Sequence, residues 1–279
     1  MRILIVGLGL IGGSMAQALR GFESCTIVGA DRNAEALAFA KAHGICDELC
    51  ADAAHLLPDA DLTILALHPR GIEAFIQTYG NQFKPGSTVT DVCGIKTAIH
   101  TAAAEHIPET VNFIGGHPMA GKESSGIENS DAALFQNAHY LLTPRAGSDE
   151  HALRLLRRMA VHLGCRDAVV TTPEEHDALI AYTSQVMHVM AVAVCDDPSL
   201  FDCRGFEGGS FRDCTRVAAL DVPLWAELFS MNAPALIGVI QNLEDNLRAY
   251  RQVLEQNDLP ALQAKLQYSS DRKRHMSLE

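Results

Sequence analysis

The stretch "VGLGLIGGS", residues Val6 to Ser14, decides the fold of the first part of the chain. It places Gly7, Gly9 and Gly12 directly after the apolar run "RILIV" and at the start of a helical pattern, "GGSMAQALRG". A strand, a glycine turn and a helix in this order are typical of a dinucleotide-binding turn. The first glycine permits the tight turn, the second lets a pyrophosphate approach the backbone, and the third lets the helix pack closely on the strand.

The turn and the end of the second strand together predict the cofactor. The backbone around the turn, including Leu8, Leu10 and Ile11, is expected to present N–H groups to the phosphates of NAD. The second strand, "TIVGAD", ends in Asp31, whose carboxylate would accept ribose hydroxyls and repel a 2′-phosphate. This favours NAD over NADP, although Arg32 would tolerate a 2′-phosphate. The alternative, a glycine turn that binds nothing, does not explain why strand, glycines, helix and acid occur together.

Short β-rich runs alternate with helical patterns through the first part of the chain. Runs rich in Ile, Val, Leu and Thr, typical of strands buried on both faces, occur at 2–7, 26–31, 62–67, 87–92, 112–116 and 139–144. Ala-rich helical segments, such as 33–44 and 93–106, lie between them. The alternation predicts βαβ units and a mostly parallel sheet, hence an α/β Rossmann-type domain over residues 1–168.

The pattern becomes all-helical after residue 168. A helix start is predicted at Thr172, which precedes Pro173 and two glutamates, and no later segment has the pattern of a strand. Helical periodicity continues over 223–256, with breaks at Pro223 and Pro234. We therefore predict an all-α domain over residues 169–279. Its apolar faces favour pairing with a second copy, so we expect a homodimer.

Composition and charge narrow the function classes. The net charge of −12 argues against nucleic-acid binding. Eight cysteines occur without a CxxC pair, and the chain opens on a strand pattern rather than a secretory signal. Reduced thiols in a cytoplasmic protein without a bound metal are therefore expected. A membrane partner is not expected, because no apolar run reaches the roughly 18–20 residues of a membrane span.

Hydride transfer to a nicotinamide requires a group that manages a proton, and histidine is the usual one near neutral pH. Among twelve histidines, His117 stands apart because it directly follows the predicted strand "NFIGG", at the sheet edge where ligands bind. Gly115 and Gly116 allow close approach, and Pro118 restricts the backbone. A turn histidine bonded to the main chain would explain the position equally well, so position alone leaves both interpretations open.

Two segments of the helical part contain further candidates. In "YTSQVMHV", Ser184 and His188 lie four apart on one helix face, and a buried pair that satisfies itself is the favoured interpretation. In "GFEGGSFRDCTRVAALDVPLW", Arg212, Asp213 and Arg216 form either an exposed ion-paired face or a clamp for a carboxylate. The planar fork of arginine suits the second role.

These segments together resemble one family, the prephenate/arogenate dehydrogenases of tyrosine biosynthesis. The motifs that carry the resemblance follow the family order over nearly the whole chain: "GLGLIGGS", "TDVCGIKTAI", "GGHPMAGKE", "HDALIAYTSQVMH" and "GGSFRDCTRVAALDVPLW". Of these, "GGHPMAGKE" is highly specific. The resemblance implies a Rossmann domain joined to a helical dimerisation domain, and oxidative decarboxylation of a small cyclohexadienyl substrate.

The resemblance also implies roles for individual residues. His117 would accept the proton of the ring 4-hydroxyl, while hydride leaves the same carbon for the nicotinamide and loss of CO2 restores aromaticity. Arg216 falls on the arginine that binds a substrate carboxylate. The other implied substrate contacts are Glu123 and Asp213 near the entrance, His188 on the helix, and Gly209 and Trp225 near the substrate side chain.

The chain departs from the family pattern at two positions. Many members have Asp-x-x-Ser-x-Lys where this chain has Asp91-Val-Cys-Gly-Ile-Lys96, so Gly94 occupies the place of a serine that helps to bind the 4-hydroxyl. Cys93, a backbone group or water stands in for that serine, or nothing does. The helix motif has Gln185 in place of its first histidine.

Several functions stay open at this point. Asp31 and Glu123 favour NAD and prephenate, with arogenate dehydrogenase or a dual-specificity cyclohexadienyl dehydrogenase as alternatives. Another Rossmann dehydrogenase, of the β-hydroxyacid or pyrroline-carboxylate type, would rely on a lysine where this helical part offers histidine and arginine. A non-catalytic NAD-binding protein would lack the proton acceptor and the carboxylate arginine, yet His117 and Arg216 are both present.

Overall fold

The structure is a computed structural model that describes residues 1–276. The chain divides into two compact units, residues 1–233 and 234–279. The first unit contains the sheet and the helices up to Met231, and the second consists of two long helices.

An eight-stranded sheet forms the centre of the first unit. Its strands are β1 Arg2–Val6, β2 Thr26–Ala30, β3 Glu48–Cys50, β4 Leu62–Leu65, β5 Thr88–Asp91, β6 Asn112–Pro118, β7 His139–Pro144 and β8 Asp167–Val170. The strand order is β3-β2-β1-β4-β5-β6-β7-β8, and every neighbouring pair is parallel except β6 and β7. The predicted α/β class with a mostly parallel sheet is confirmed.

Helices follow the strands and then continue alone. In the first unit they are α1 Leu10–Ala18, α2 Ala34–Ala42, α3 Pro69–Tyr79, α4 Thr97–His106, α5 Glu150–His162, α6 Pro173–Ile180, α7 Val186–Cys195, α8 Gly209–Thr215 and α9 Val222–Met231. Two more helices, α10 Ala233–Glu255 and α11 Leu259–Met276, end the described chain.

Each face of the sheet has its own apolar core, because successive strand residues point to opposite sides. On β1, Ile3 and Ile5 face one buried cluster, whereas Leu4 and Val6 face the other. All four side chains are at most 6% exposed. A strand buried on both faces has no polar alternation, which explains why the apolar runs predicted these strands.

Two strands were not predicted from the sequence, and two predicted element ends differ from the structure. The missed strands, β3 and β8, lie at the two edges of the sheet, are only three and four residues long, and contain no buried residue. Strand β6 extends to Pro118 because it pairs with β7, and His117 lies opposite Leu141 within it. His117 is therefore a strand residue, not a turn residue. Helix α4 begins at Thr97 rather than near residue 93.

Helices α6 and α7 are joined by a π-helical turn, Ala181–Gln185, into one continuous run over 173–195. An 18-residue window of this run has a mean hydropathy of 1.6, enough by length and composition alone to cross a membrane. This run is not evident as one apolar segment in the sequence, because Ser184, Gln185 and His188 interrupt the apolar pattern. These three residues line a cavity of the first unit.

The predicted boundary after residue 168 falls inside β8. The compact units divide later, after Ala233, because the helices from α6 to α9 belong to the same compact unit as the sheet. The division into domains 1–168 and 169–279 stays a prediction.

One partly buried histidine makes the stability of the fold depend on pH. His100, on α4, shares a hydrogen bond of 2.9 Å between its Nε2 and the Thr143 hydroxyl, and its ring meets the edge of Phe113. Burial lowers the pKa of His100 to about 4. An unfolded chain takes up this proton near pH 6.5, so stability is lost as pH falls from 6.5 towards 4.

We predict that His100→Gln makes stability less sensitive to acid. At pH 5 the wild-type histidine lowers the free energy of unfolding by about 2 kcal/mol relative to pH 8, and glutamine removes this contribution. Urea unfolding at both pH values measures the difference, with exposed His151→Gln as the matched control. An unchanged difference in His100→Gln would contradict the assignment.

Candidate active site

A cavity of about 570 Å³ opens in the first unit at the carboxyl ends of the central strands. Its lining includes residues 9–11 after β1, 66–69 after β4, 92–94 after β5 and 117–126 at the end of β6. Parts of α6, the π-helical turn, α7 and α9 close the other side. In open α/β sheets this edge is where ligands bind, and the volume suits a small organic molecule.

The glycine turn at one end of the cavity has the geometry that the sequence predicts. Gly7 has φ +96°, and a Cβ at Gly12 would lie 1.9 Å from the Gly7 carbonyl oxygen, so both positions exclude a side chain. A Cβ at Gly9 would meet nothing within 4 Å and would project into open space. The turn therefore fits the pyrophosphate of a dinucleotide, with Leu10 and Ile11 at the helix N-terminus beside it.

Asp31 lies at the end of β2 beside this turn. One carboxylate oxygen accepts the Leu8 N–H at 2.7 Å, and the other accepts the Asn33 N–H at 2.8 Å. These two bonds fix the carboxylate, and its remaining lone pairs can accept further donors such as ribose hydroxyls. Arg32 is exposed next to it.

A loop ties the glycine helix to the strand that carries His117. The Gln17 amide donates to the Ser130 hydroxyl at 2.7 Å, and the Asp131 N–H donates to the Ser14 hydroxyl at 2.9 Å. A Cβ at Gly13 would lie 3.0 Å from Ser130, which explains the second glycine of the Gly-Gly pair. These contacts join segments distant in the chain, so no local sequence pattern predicts them.

A chain of hydrogen bonds lies behind His117. Its Nδ1 is 2.9 Å from Nε2 of His176, and Nδ1 of His176 is 2.8 Å from a carboxylate oxygen of Asp177. The same carboxylate accepts the N–H groups of Lys96 and Thr97 at 2.7 and 2.8 Å. Asp177 therefore joins α6 to the N-terminus of α4 and, through His176, supports His117.

This chain assigns the tautomers of both histidines. An ionised carboxylate only accepts, so Nδ1 of His176 carries a proton and its Nε2 is an acceptor. Nδ1 of His117 must then donate to His176. Nε2 of His117 consequently has a free lone pair, on a side chain that lines the cavity.

The pKa values agree with this assignment. Burial, the neighbouring His176 and the Lys96 ammonium hold the pKa of His117 well below its usual 6.5. Burial also lowers the pKa of His176. Burial opposes ionisation of Asp177, but its hydrogen bonds from His176 and Thr97 prevail and lower the pKa of the carboxyl group. The imidazoles are therefore neutral and the carboxylate charged at neutral pH.

His176 and Asp177 belong to the motif "HDALIAYTSQVMH", but the sequence alone assigns neither of them a role. Both side chains are buried, at 1% and 5% exposure. An adjacent histidine and aspartate just before the apolar part of the helix is the signal that could have identified them.

The loop after β5 folds around a buried ammonium. Nζ of Lys96, which is fully buried, forms an ion pair with Asp91 and donates to the carbonyls of Cys93 and Ile95 at 2.9 Å. Because the loop folds around the ammonium, helix α4 begins only at Thr97. The loop also presents the backbone of Gly94 to the cavity, where a Cβ would lie 3.9 Å from Cε1 of His117. Burial raises the pKa of the Cys93 thiol to about 12, so that group stays neutral.

Two pairs of contacting side chains belong to the lining of the cavity. Arg216 forms an ion pair with Glu123, and both side chains line the cavity while remaining about half exposed or more. His188 stacks on Trp225 with a ring separation of 3.5 Å and donates from Nδ1 to the Ser184 carbonyl. Burial and the nearby Arg216 lower the pKa of His188.

Not every candidate residue joins this cavity. Gly209 and Asp213 are exposed on α8 and are absent from the cavity lining, so their proposed substrate contacts stay predictions. Arg212 is likewise outside the lining. Gln185 is buried, and its amide bonds the Leu228 carbonyl and Asn232.

The fold and the cavity define a Rossmann-type, NAD-dependent dehydrogenase. The family model for the prephenate dehydrogenase nucleotide-binding domain matches residues 15–170, and the model for the prephenate dehydrogenase dimerization domain matches residues 172–268. The chain belongs to the prephenate dehydrogenase family.

Relatives with three related names are similar over nearly the whole chain. Cyclohexadienyl dehydrogenase of Zymomonas mobilis is 28% identical, over 92% of this chain and 89% of that protein. Prephenate dehydrogenase of A. aeolicus, solved with hydroxyphenyl propionate and NAD+, has a TM-score of 0.89 at 28% identity, covering 99% of this chain and 98% of that one. Arogenate dehydrogenase of Synechocystis has a TM-score of 0.83 at 29% identity, covering 99% and 100%.

The glycine turn yields a prediction that separates folding from binding. Gly9→Ala should leave thermal stability unchanged, because its methyl group meets nothing, yet weaken NAD binding by about tenfold or more, or ~1.4 kcal/mol. Gly12→Ala should lower stability by about 1–3 kcal/mol, because its methyl group meets the Gly7 carbonyl. Thermal unfolding and fluorescence titration with NAD measure both quantities. Unchanged NAD affinity in Gly9→Ala would place the pyrophosphate elsewhere.

Proposed function

We propose that this chain oxidatively decarboxylates prephenate to 4-hydroxyphenylpyruvate with NAD+ as the hydride acceptor. The single observation that carries the proposal is His117, whose Nδ1 is committed to His176 and whose Nε2 is free on the wall of the cavity. This is the arrangement that a base needs in order to take a proton from a ring hydroxyl.

The proposed role of His117 follows from its surroundings. Nε2 accepts the proton of the 4-hydroxyl while hydride leaves the same ring carbon. The positive charge that develops on His117 is stabilised through His176, which accepts from His117 and donates to the ionised Asp177. Hydride acceptance is the chemistry that a bound nicotinamide supplies.

Loss of the ring carboxylate completes the reaction. Loss of the proton and the hydride leaves a carbonyl group in place of the 4-hydroxyl. The electrons of the breaking carbon–carboxylate bond enter the ring, which becomes aromatic, and the carbonyl oxygen becomes a phenolate oxygen. That oxygen takes back the proton from His117. The base is therefore regenerated neutral in each cycle, and the reaction consumes no net proton.

Arg216 is proposed to bind a substrate carboxylate, since its guanidinium lines the cavity. Its partner Glu123 would yield this place as the substrate enters. The stacked His188 and Trp225 form a flat wall that suits the substrate side chain. The family resemblance implies that Gly209 and Asp213 also contact the substrate, and we retain these contacts in the proposal.

Charge favours prephenate over arogenate, which differs by an ammonium group. The cavity lining includes two acidic residues, Glu123 and Asp221. Glu123 is paired with Arg216, and Asp221 accepts the Leu224 N–H at the start of α9. An ammonium would have to compete with these partners for either carboxylate, whereas the keto side chain of prephenate needs no acid.

NAD is the proposed cofactor, held by the turn from Gly7 to Gly12, with Asp31 as the acceptor for ribose hydroxyls. The fixed Asp31 carboxylate would repel a 2′-phosphate, so NADP is disfavoured.

We also propose a cytoplasmic homodimer with domains 1–168 and 169–279. The eight cysteines are all free, as in a reducing compartment. The α6–α7 run exposes large apolar side chains, including Leu179, Tyr182 and Met190, which a second copy would cover. The dimerization-domain family model matches residues 172–268.

The test of the function is an assay of NAD and NADP against prephenate and arogenate. We expect kcat/KM to be highest for prephenate with NAD, by about tenfold or more over each alternative, a factor equal to ~1.4 kcal/mol. Preference for arogenate would overturn the substrate assignment. No turnover of either acid, with NAD bound, would support a non-catalytic NAD-binding protein instead.

His117→Asn is the matched control in this assay. Turnover should fall by about 10²–10⁴-fold, the usual contribution of a general base, while the NAD dissociation constant is unchanged. Turnover close to wild type would remove His117 from the chemistry.

A further inference from the structure

The two departures from the family pattern meet at one residue, Leu228. A Cβ on Gly94 would lie 3.3 Å from Cδ2 of Leu228, so the leucine side chain occupies the space next to this glycine. Gln185, the second departure, donates from Nε2 to the Leu228 carbonyl at 3.2 Å. Gly94 therefore lies next to the side chain of Leu228, and Gln185 forms a hydrogen bond with its backbone.

Leu228 lies between the cavity and the core. It is 8% exposed, lines the cavity from α9, and belongs to the same apolar cluster as Cys93 and Ile95 of the β5 loop. The wall that it forms beside Gly94 and His117 is therefore apolar.

Hydrogen bonds fix this wall to the helix behind His117. The Asn232 amide donates to the Gln185 side-chain oxygen at 2.8 Å and to the Asp177 carbonyl at 2.9 Å. Gln185 in turn holds Leu228. The position of Leu228 is thus coupled to the segment that contains Asp177.

We propose that Leu228 is a positioning residue that closes the side of the cavity left open by Gly94 and keeps water away from His117 and the reacting ring carbon. The proposal deepens the proposed function and rests on it. Where many family members have a serine hydroxyl that would bond the 4-hydroxyl of the substrate, this chain has an apolar wall. Nε2 of His117 is then the protein group that bonds this substrate oxygen.

Exclusion of water has a direct consequence for the base. An imidazole kept from water stays neutral to lower pH, because its charged form loses solvation. The charged and titratable groups around His117 are His176 and Asp177 on α6, and Asp91 and Lys96 at the β5 loop. The others on the cavity lining are His68, Lys122, Glu123, His188, Arg216, Asp221 and the Cys93 thiol. All of these groups are retained in the variants below, so the change tested is the hydration of His117.

The test is a titration of His117 followed by NMR, with histidine labelled at ¹³Cε1 and the signal assigned by its loss in His117→Asn. In the wild type we expect an inflection well below the usual 6.5, because burial disfavours the charged imidazolium. In Leu228→Ala we expect it to move up by about one unit or more. Leu57→Ala, which removes a buried leucine of the same cluster that is absent from the cavity lining, should retain the wild-type inflection. An unchanged inflection in folded Leu228→Ala would overturn the proposal.

A second variant covers the outcome in which Leu228→Ala does not fold. Leu228→Asn keeps the branching of the side chain but makes it polar and admits water, and it should raise the inflection in the same direction. Leu228→Met, which stays apolar, should keep it low. If asparagine leaves the inflection at the wild-type value, the proposal is wrong.

Activity gives an independent readout. At pH 6, kcat/KM of Leu228→Ala with prephenate should lie about fourfold below its own value at pH 8, since about a quarter of a base with a pKa near 6.5 is then neutral. The wild type should show a smaller loss. A moved NMR inflection without turnover of prephenate or arogenate would reject the proposed function and retain the role of Leu228.

Discussion

The Asp177 carboxylate accepts three hydrogen bonds at once, and the rest of the site depends on this arrangement. It accepts from His176 and from the backbone N–H groups of Lys96 and Thr97. The first bond sets the tautomer of His176 and, through it, that of His117. The other two attach α6 to the start of α4 and to the β5 loop. One ionised group therefore aligns the base and joins the helical run to the sheet.

The buried ion pair beneath the β5 loop has a similar double effect. Lys96 and Asp91 are both fully buried, and removal of one partner from such a pair typically costs about 3–5 kcal/mol. The ammonium also binds two loop carbonyls, so the pair fixes the conformation that brings Gly94 to the cavity. In the proposed reaction, stability and the placement of the base rest on the same buried charges.

Much of the fold could be predicted from the sequence, because strands buried on both faces leave apolar runs and the glycine turn has a fixed spacing. The exposed edge strands β3 and β8 leave no such pattern and were missed. His117 could be singled out by position and by family resemblance, but its place within β6 depends on pairing with β7, to which the sequence gives no signal. His176, Asp177 and Leu228 escaped for a related reason: their roles arise from contacts between segments far apart in the chain.

The tautomer of His117 tests the central claim most directly. Long-range ¹⁵N–¹H NMR of histidine-labelled protein at pH 7.5, with His117→Asn for assignment, reports which ring nitrogen carries the proton. The account predicts neutral imidazoles protonated at Nδ1 in both His117 and His176, with Nε2 of His117 bare. Protonation of His117 at Nε2, or a charged imidazolium at this pH, would contradict it.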